Sequence, residues 1–223
     1  MAKPDASQKE KMIIDHIGWA CSDLEDGVQQ ISDLLGVRPI AGGSHKGNGT
    51  RNALLSLGPG QYLEIIGPDL QQDITGTEGE AFSKLQQNGL FTFCLASDNL
   101  SQAAAVVRSL GYDAAGPSDW ARERPNGAKM SWRLLRFSGH KLGYFLPIFI
   151  DWMASPHPSS SAPTAGSLYQ LHVLHPQAAT LQRVYSRLGV VAATVEKSDE
   201  TSISAIIHTD HGLVRLEPAS FAS

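Results

Sequence analysis

Cysteine is nearly absent. Only Cys21 and Cys94 occur, each inside an apolar stretch, which excludes a disulfide framework and a CxxC metal cluster and leaves buried free thiols as the expectation. There is no run of Lys or Arg, and the formal charge is −4. The chain therefore has no electrostatic footprint for a phosphate backbone or an anionic membrane, and neither nucleic acid nor membrane is an expected partner. No segment approaches the roughly 20 apolar residues that span a bilayer. Residues 1–11 are polar and mixed in charge, without the apolar stretch of a secretory signal, so the expected location is cytoplasmic. What is present is an ordinary globular balance, 42% hydrophobic and 18% charged over 223 residues, with 21 Gly and 12 Pro that favour many turns and short strands.

One pattern returns three times. Residues 12–20 read as an apolar strand, followed by Ser22-Asp23 as a helix N-cap. The helix over 24–35 carries Leu24, Val28, Ile31, Leu34 and Leu35 on one stripe, and Gly36 closes it. A short strand at 37–40, a Gly-rich loop at 42–49 and alternating strands at 51–57 and 61–66 complete a strand–helix–strand–strand–strand unit. The second copy has a strand at 90–96, Asp98 or Asn99 as cap, a helix over 100–110, Gly111 as stop, and strands near 112–115, 129–137 and 144–152. Residues 70–89 connect the two, with a short helix at 80–87. Pro156 to Pro163 is rich in Pro, Ser and Ala and reads as a linker with nothing to bury. A third, weaker copy follows: strand 168–174, helix 178–188, Gly189, and strands 190–196, 202–208 and 212–216.

The expected organisation is thus a βαβββ module over 12–69, a second over 90–153, a linker over 154–166 and a βαβββ-like module over 167–218. A lone unit of this kind leaves one sheet face exposed, so the third module should pack on another module or drive formation of a homodimer.

Side chains alternate across a strand, so each strand divides into a helix-facing set and an opposite set. Ile17, Trp19, Ala53, Leu55, Leu63 and Ile65 face the helix; His16, Asn52, Tyr62 and Glu64 face away. A histidine and a carboxylate on one sheet face among apolar neighbours suit a divalent metal or acid–base chemistry, and equally a hydrogen-bonded structural pair. His45 in the Gly-rich loop is expected at the surface, or alternatively at a pocket mouth. Arg122 and Arg124 lie two apart and face one way, for surface ion pairs or for an anionic group of a substrate.

Asp15-His16-Ile17, Ser22-Asp23-Leu24, Gly49 to Leu54 and Tyr62 to Pro68 resemble the first module of glyoxalase-like proteins of the vicinal-oxygen-chelate superfamily. Arg122 to Gly127 with Trp132, and Pro147 to Trp152, resemble the second module of its glyoxalase-3-like branch. The resemblance runs from Met12 to Pro158 and is weak beyond it. It implies an α+β fold in which tandem βαβββ modules form a half-open mixed β-barrel with helices outside.

The resemblance also implies four inward metal-binding positions, one on the first and one on the last strand of each module. His16 and Glu64 match the first pair, and aligning Tyr62 to Ile65 with Phe149 to Trp152 gives Asp151 the second carboxylate position. Counting back from the helix puts Thr92, with Cys94 as its same-face neighbour, at the remaining position, where neither is the usual His or Gln. A divalent ion (Mg, Mn, Fe, Ni or Zn) on His16, Glu64 and Asp151 would polarise a small carbonyl- or oxygen-bearing substrate for isomerase, lyase or hydrolase chemistry. Glu64 and His16 are the expected catalytic groups; Asn52 and Arg124 would orient the substrate, and Tyr62, Trp132 and Trp152 would wall it. Two alternatives remain: metal-independent acid–base catalysis by the same pair, and a protein that sequesters a small molecule. An extradiol dioxygenase needs two His and one Glu, and only His16 is in register.

Overall fold

The computed structural model describes residues 12–123, 127 and 129–221. β1 (Ile14–Ala20) is buried throughout and leads through Asp23, whose carboxylate accepts from the N–H groups of Glu25 and Asp26, into α1 (Leu24–Leu35). Gly36 ends α1 at a φ of 72°, a left-handed conformation that favours glycine. The first module continues with β2 (Ile40–His45), β3 (Thr50–Ser56) and β4 (Tyr62–Pro68). After α2 (Glu78–Ser83), the second contains β5 (Gly89–Ala96), α3 (Leu100–Ser109), β6 (Asp113–Glu123), β7 (Lys129–Ser138) and β8 (Ile148–Asp151).

These eight strands form one mixed sheet in the order β2-β3-β4-β1-β5-β8-β7-β6. The two modules meet at the antiparallel β1–β5 pair, and the sheet curls until β6 reaches β2 at its far edge. The fold is α+β, a curled half-barrel with helices outside. Ile17, Leu55, Leu63 and Ile65 are fully buried on the helix side, where each such side chain contributes about 1.5–3 kcal/mol.

Several strands differ from the sequence reading; the segment expected as strand over 144–152 opens as a 3-10 turn, Gly143–Phe145, and is strand only over Ile148–Asp151. The loop expected from Gly42 is largely strand, because β2 runs from Ile40 to His45 with an irregularity between Ala41 and Gly43. β6 extends eight residues beyond the expected 112–115, to Glu123, since it pairs with β7 from Ser138 back to Lys129.

The third unit has β9 (Ser167–Leu174), α4 (Ala178–Leu188), β10 (Ala193–Glu196), β11 (Ser202–Thr209) and β12 (Gly212–Leu216). Its element order matches the other modules, yet its sheet runs β10-β9-β11-β12, so β12 stays at an edge where β4 lies beside β1. The unit packs within the chain. Tyr185 of α4 meets Phe93 of β5 edge to face at 5.5 Å, and its hydroxyl donates to the Phe145 carbonyl at 2.5 Å. Nor is the stretch over 154–166 an idle linker. Ser56 N–H donates to the Pro163 carbonyl at 2.8 Å, Ala165 N–H donates to the Ser56 carbonyl at 3.0 Å, and Ala162 is buried against Leu54 and Tyr62. Among the described residues no helix is long and apolar enough to cross a membrane.

Candidate functional site

The concave face of the half-barrel encloses a cavity of about 340 Å³, within the size range of small-molecule sites. Strand alternation delivers its lining. β1 contributes His16, β3 Asn52, β4 Tyr62 and Glu64, β6 Trp120 and Arg122, β7 Trp132, and β8 Ile148 and Ile150. Trp152 follows β8 and stands 5.5 Å from Trp132 and 6.3 Å from Tyr62 between ring centres. His16, Asn52, Tyr62, Glu64, Trp132 and Trp152, read from sequence as one group, therefore line one space. Arg124 lies outside the described residues.

His16 Nε2 is 3.8 Å from Glu64 Oε2. On its other side, His16 Nδ1–H donates to Asp15 Oδ1 at 2.7 Å. Adjacent strand residues normally point apart, but the β1–β5 register shifts between Ile14 and His16, leaving Asp15 as a bulge beside the imidazole. Asp15 Oδ2 also accepts from Trp152 Nε1 at 3.0 Å and from His157 Nε2 at 3.2 Å. Burial would raise the Asp15 carboxyl; hydrogen bonds from His157 and His16 outweigh it and hold the group below the usual carboxylate range. Burial would likewise lower His16, and the neighbouring Cys94 sulfur and Asp15 instead raise it well above its ordinary value. Because burial pushes the Cys94 thiol up and keeps it protonated, Asp15 is the partner that matters at neutral pH. With Nδ1–H held by Asp15, a proton on His16 Nε2 would face Glu64.

His45 is the residue that the sequence reading put at the surface. The strand character of β2 turns it inward, where it is nine-tenths buried, with Nε2 at 3.8 Å from Glu64 Oε1. Its Nδ1–H donates to Thr50 Oγ1 at 3.0 Å, and its Nε2 accepts from Asn52 Nδ2 at 3.3 Å. Burial lowers its pKa, Arg122 and His16 add to that, and Glu64 opposes it. One carboxylate is flanked by two imidazoles whose pKa values move in opposite directions, His16 up and His45 down. The signal available in sequence was the alternation of His45 with Gly43, obscured by the glycines.

Asn52 Nδ2 also donates to Glu64 Oε1 at 2.5 Å, and Arg122 Nη1 donates to Asn52 Oδ1 at 3.0 Å. Arg122, expected in a surface ion pair or at an anionic group, is buried at the β6–β2 closure. Gly42 makes room for this: a Cβ there would run into both Asn52 Oδ1 and Arg122 Nη1. Gly42→Ala is expected to push Asn52 off Glu64 and Arg122 off Asn52 and to destabilise the fold by about 1–3 kcal/mol, measured by urea denaturation.

The metal set expected on His16, Glu64 and Asp151 does not assemble. β5 and β8 pair as Cys94↔Ile148 and Ala96↔Ile150, while β1 and β4 pair as His16↔Tyr62 and Gly18↔Glu64. With His16 directly opposite Cys94, the two halves superpose Cys94 on His16 and Ile150 on Glu64. The alignment that gave Asp151 the carboxylate position is displaced by one residue, and one residue reverses the face of a strand. Asp151 instead accepts from Arg133 Nη2 at 2.5 Å and from Met153 N–H at 2.8 Å. Thr92 faces the cavity as well, but it pairs with Gly18. His45 does not complete the set, since its Nε2 lone pair is taken by Asn52 and the two histidines address opposite oxygens of Glu64. Among the described residues no group of three His, Cys, Asp or Glu side chains has the geometry to hold a metal ion. The donors present do not fit the group that the resemblance implies.

Comparison with solved structures gives a protein from Staphylococcus aureus described as hypothetical, 18% identical, with a TM-score of 0.63 over 94% of this chain and 88% of that one; this is a likeness of fold. Streptomyces coelicolor methylmalonyl-CoA epimerase in complex with 2-nitronate-propionyl-CoA is 20% identical, covering 67% of this chain and all of that one at a TM-score of 0.48. The Mycobacterium tuberculosis methylmalonyl-CoA epimerase is 19% identical over 71% of this chain and 97% of that one, at 0.47. No curated protein matches the chain. The family model described as a glyoxalase-like domain matches residues 14–189, which spans both modules and enters the third, and it establishes that the chain belongs to the glyoxalase-like domain family.

Proposed function

We propose that the chain is an enzyme that moves a proton on carbon beside a carbonyl group of a small, largely apolar molecule, with Glu64 as base and His16 as the group that receives the developing oxyanion. The observation that carries this reading is the 3.8 Å approach of His16 Nε2 to Glu64 Oε2 at one end of an aromatic-walled cavity. A carbonyl compound between them presents its oxygen to the Nε2–H of His16 and its α-carbon to the carboxylate. Glu64 takes the proton, the C–H electron pair becomes the C=C bond, and the carbonyl π pair moves to oxygen, where His16 holds it by a hydrogen bond or donates its proton. Collapse of the enol, with return of a proton from Glu64 to the face it left, restores both side chains and the starting compound, labelled at that carbon when Glu64 has exchanged its proton with solvent; an epimer forms only when the enol turns its other face to Glu64 before reprotonation. Asp15 holds the His16 ring and its tautomer and offsets its charge. Tyr62, Trp132 and Trp152 bury the apolar part of the substrate, and Asn52 orients the carboxylate.

The test is solvent-deuterium exchange, followed by NMR, at the α-carbon of a panel of aromatic and aliphatic ketones, aldehydes and thioesters, on protein dialysed against EDTA. Exchange at the same rate with and without the chelator is expected for at least one compound. Loss with EDTA and recovery on adding Mn²⁺, Fe²⁺, Ni²⁺ or Zn²⁺ would move the chemistry to a metal-assisted site. Compounds that quench the tryptophan fluorescence on binding yet never exchange would make the cavity a sequestering site.

A further inference from the structure

Residues brought by strands remote from Glu64 in sequence form a hydrogen-bonded chain that ends on its carboxylate. Arg122 Nη1 on β6 donates to Asn52 Oδ1 at 3.0 Å; Asn52 Nδ2 on β3 then donates to Glu64 Oε1 at 2.5 Å and to His45 Nε2 at 3.3 Å. The chain has a fixed polarity. A guanidinium only donates, so it meets only the oxygen of the Asn52 amide, and the NH₂ group must face the other way. The His45 nitrogen on that side must then be an acceptor, which puts the ring proton on Nδ1, where Thr50 Oγ1 accepts it at 3.0 Å. Flipping Asn52 would set NH₂ against guanidinium and oxygen against carboxylate, two unfavourable contacts inside a buried cluster. The Gly42 position, where a side chain would collide with both Asn52 and Arg122, is the independent sign that the backbone is shaped around this contact.

We propose that Arg122 is a positioning residue for Glu64: by holding the Asn52 oxygen it locks the amide so that one oxygen of the carboxylate is occupied and the other is left to face His16 and the substrate. This rests on the reading of Glu64 as the base. It assigns Arg122 an action through Asn52, distinct from the surface ion pair or substrate-anion contact that its sequence position suggests.

The test reads the His45 ring, which reports the amide orientation without any substrate. The groups facing that ring are Glu64 from β4, His16 from β1, Arg122 from β6 and Asp69 beyond β4. Imidazole ¹⁵N NMR is recorded on wild type, Arg122→Lys and Arg122→Met, with an amide spectrum as the control for folding. Wild type is expected to show His45 protonated on Nδ1. Arg122→Lys, which keeps a charged donor only about one bond shorter than the guanidinium, should keep that tautomer. Arg122→Met removes donor and charge together and should populate the Nε2–H tautomer. If Arg122→Met does not fold, Arg122→Ser, too short to reach Asn52, replaces it. An Nδ1–H tautomer that persists in a folded variant without a donor overturns the positioning role, whatever the exchange assay shows. A tautomer change in a protein whose Glu64 proves unnecessary for exchange leaves the positioning intact and removes the base.

Discussion

Glu64→Gln is expected to slow α-deuterium exchange by about 10²–10⁴-fold while leaving the binding of the same compound, followed by tryptophan fluorescence, within about threefold of wild type. The substitution keeps size and planarity, so the cavity walls stay in place and Asn52 Nδ2 still finds an oxygen if the new amide turns its carbonyl towards it. What disappears is the acceptor for a carbon-bound proton. His45 is the nearest other base, but its Nε2 lone pair is committed to Asn52 and lies on the Oε1 side, away from His16. It is badly placed to take over, which is why the expected loss is large. A loss of binding equal to the loss of exchange would make Glu64 a ligand-holding group; exchange at the wild-type rate would end the acid–base reading.

The residues in this prediction differ in how visible they were from the chain alone. A period of two separates the faces of a strand, and it brought Asn52, Tyr62 and Glu64 together because each lies inside a regular stretch whose other face is Ala53, Leu55, Leu63 and Ile65, all helix-side core; His16 joins them because the run from His16 to Gly18, with Ile17 on the helix side, is regular between two register shifts. The same reasoning failed where regularity breaks. At Asp15 a bulge adds a residue, so a neighbour that alternation sends to the far side returns to bond His16. At β8 the strand is four residues long, too short for its own pattern to fix the register, and a similarity of apolar residues chose the wrong one, exchanging Ile150 for Asp151.

The remaining misses are long-range. Trp152 and His157 bond Asp15 across separations of 137 and 142 residues, and Arg122 reaches Asn52 across 70. Local periodicity carries no information about such contacts. They follow from the curl of the eight-stranded sheet, which closes β6 on β2, and from the 154–166 segment folding back over β3. A stretch of Pro, Ser and Ala looks empty in sequence because its contribution is one histidine, a small buried alanine and a few backbone hydrogen bonds.

That histidine leads to the largest expected effect on stability. Asp15→Asn should cost about 3–5 kcal/mol, the scale for breaking a buried charge pair, out of the 5–15 kcal/mol that typically holds a fold together. The carboxylate is 1% exposed and accepts from three donors, His16, Trp152 and His157. An asparagine must turn its NH₂ group towards at least one of them, setting donor against donor, and leaves the His16 proton without its counter-charge. The pH dependence identifies the cause. Asp15 is lowered in the fold, so its contribution is present above its unfolded value of about 3.9 and is lost as pH falls through the lower folded value. His16 is raised, so its contribution is complete below about 6.5 and is lost as pH rises through the higher folded value. The deficit of the variant against wild type, measured by urea denaturation from pH 3 to 10, should therefore be widest between about pH 4 and 6.5 and narrow towards both ends. A deficit of the same size at every pH would mean that Asp15 acts by shape and hydrogen bonding alone, and His16 would then lose the charge that the acid role in catalysis requires of it.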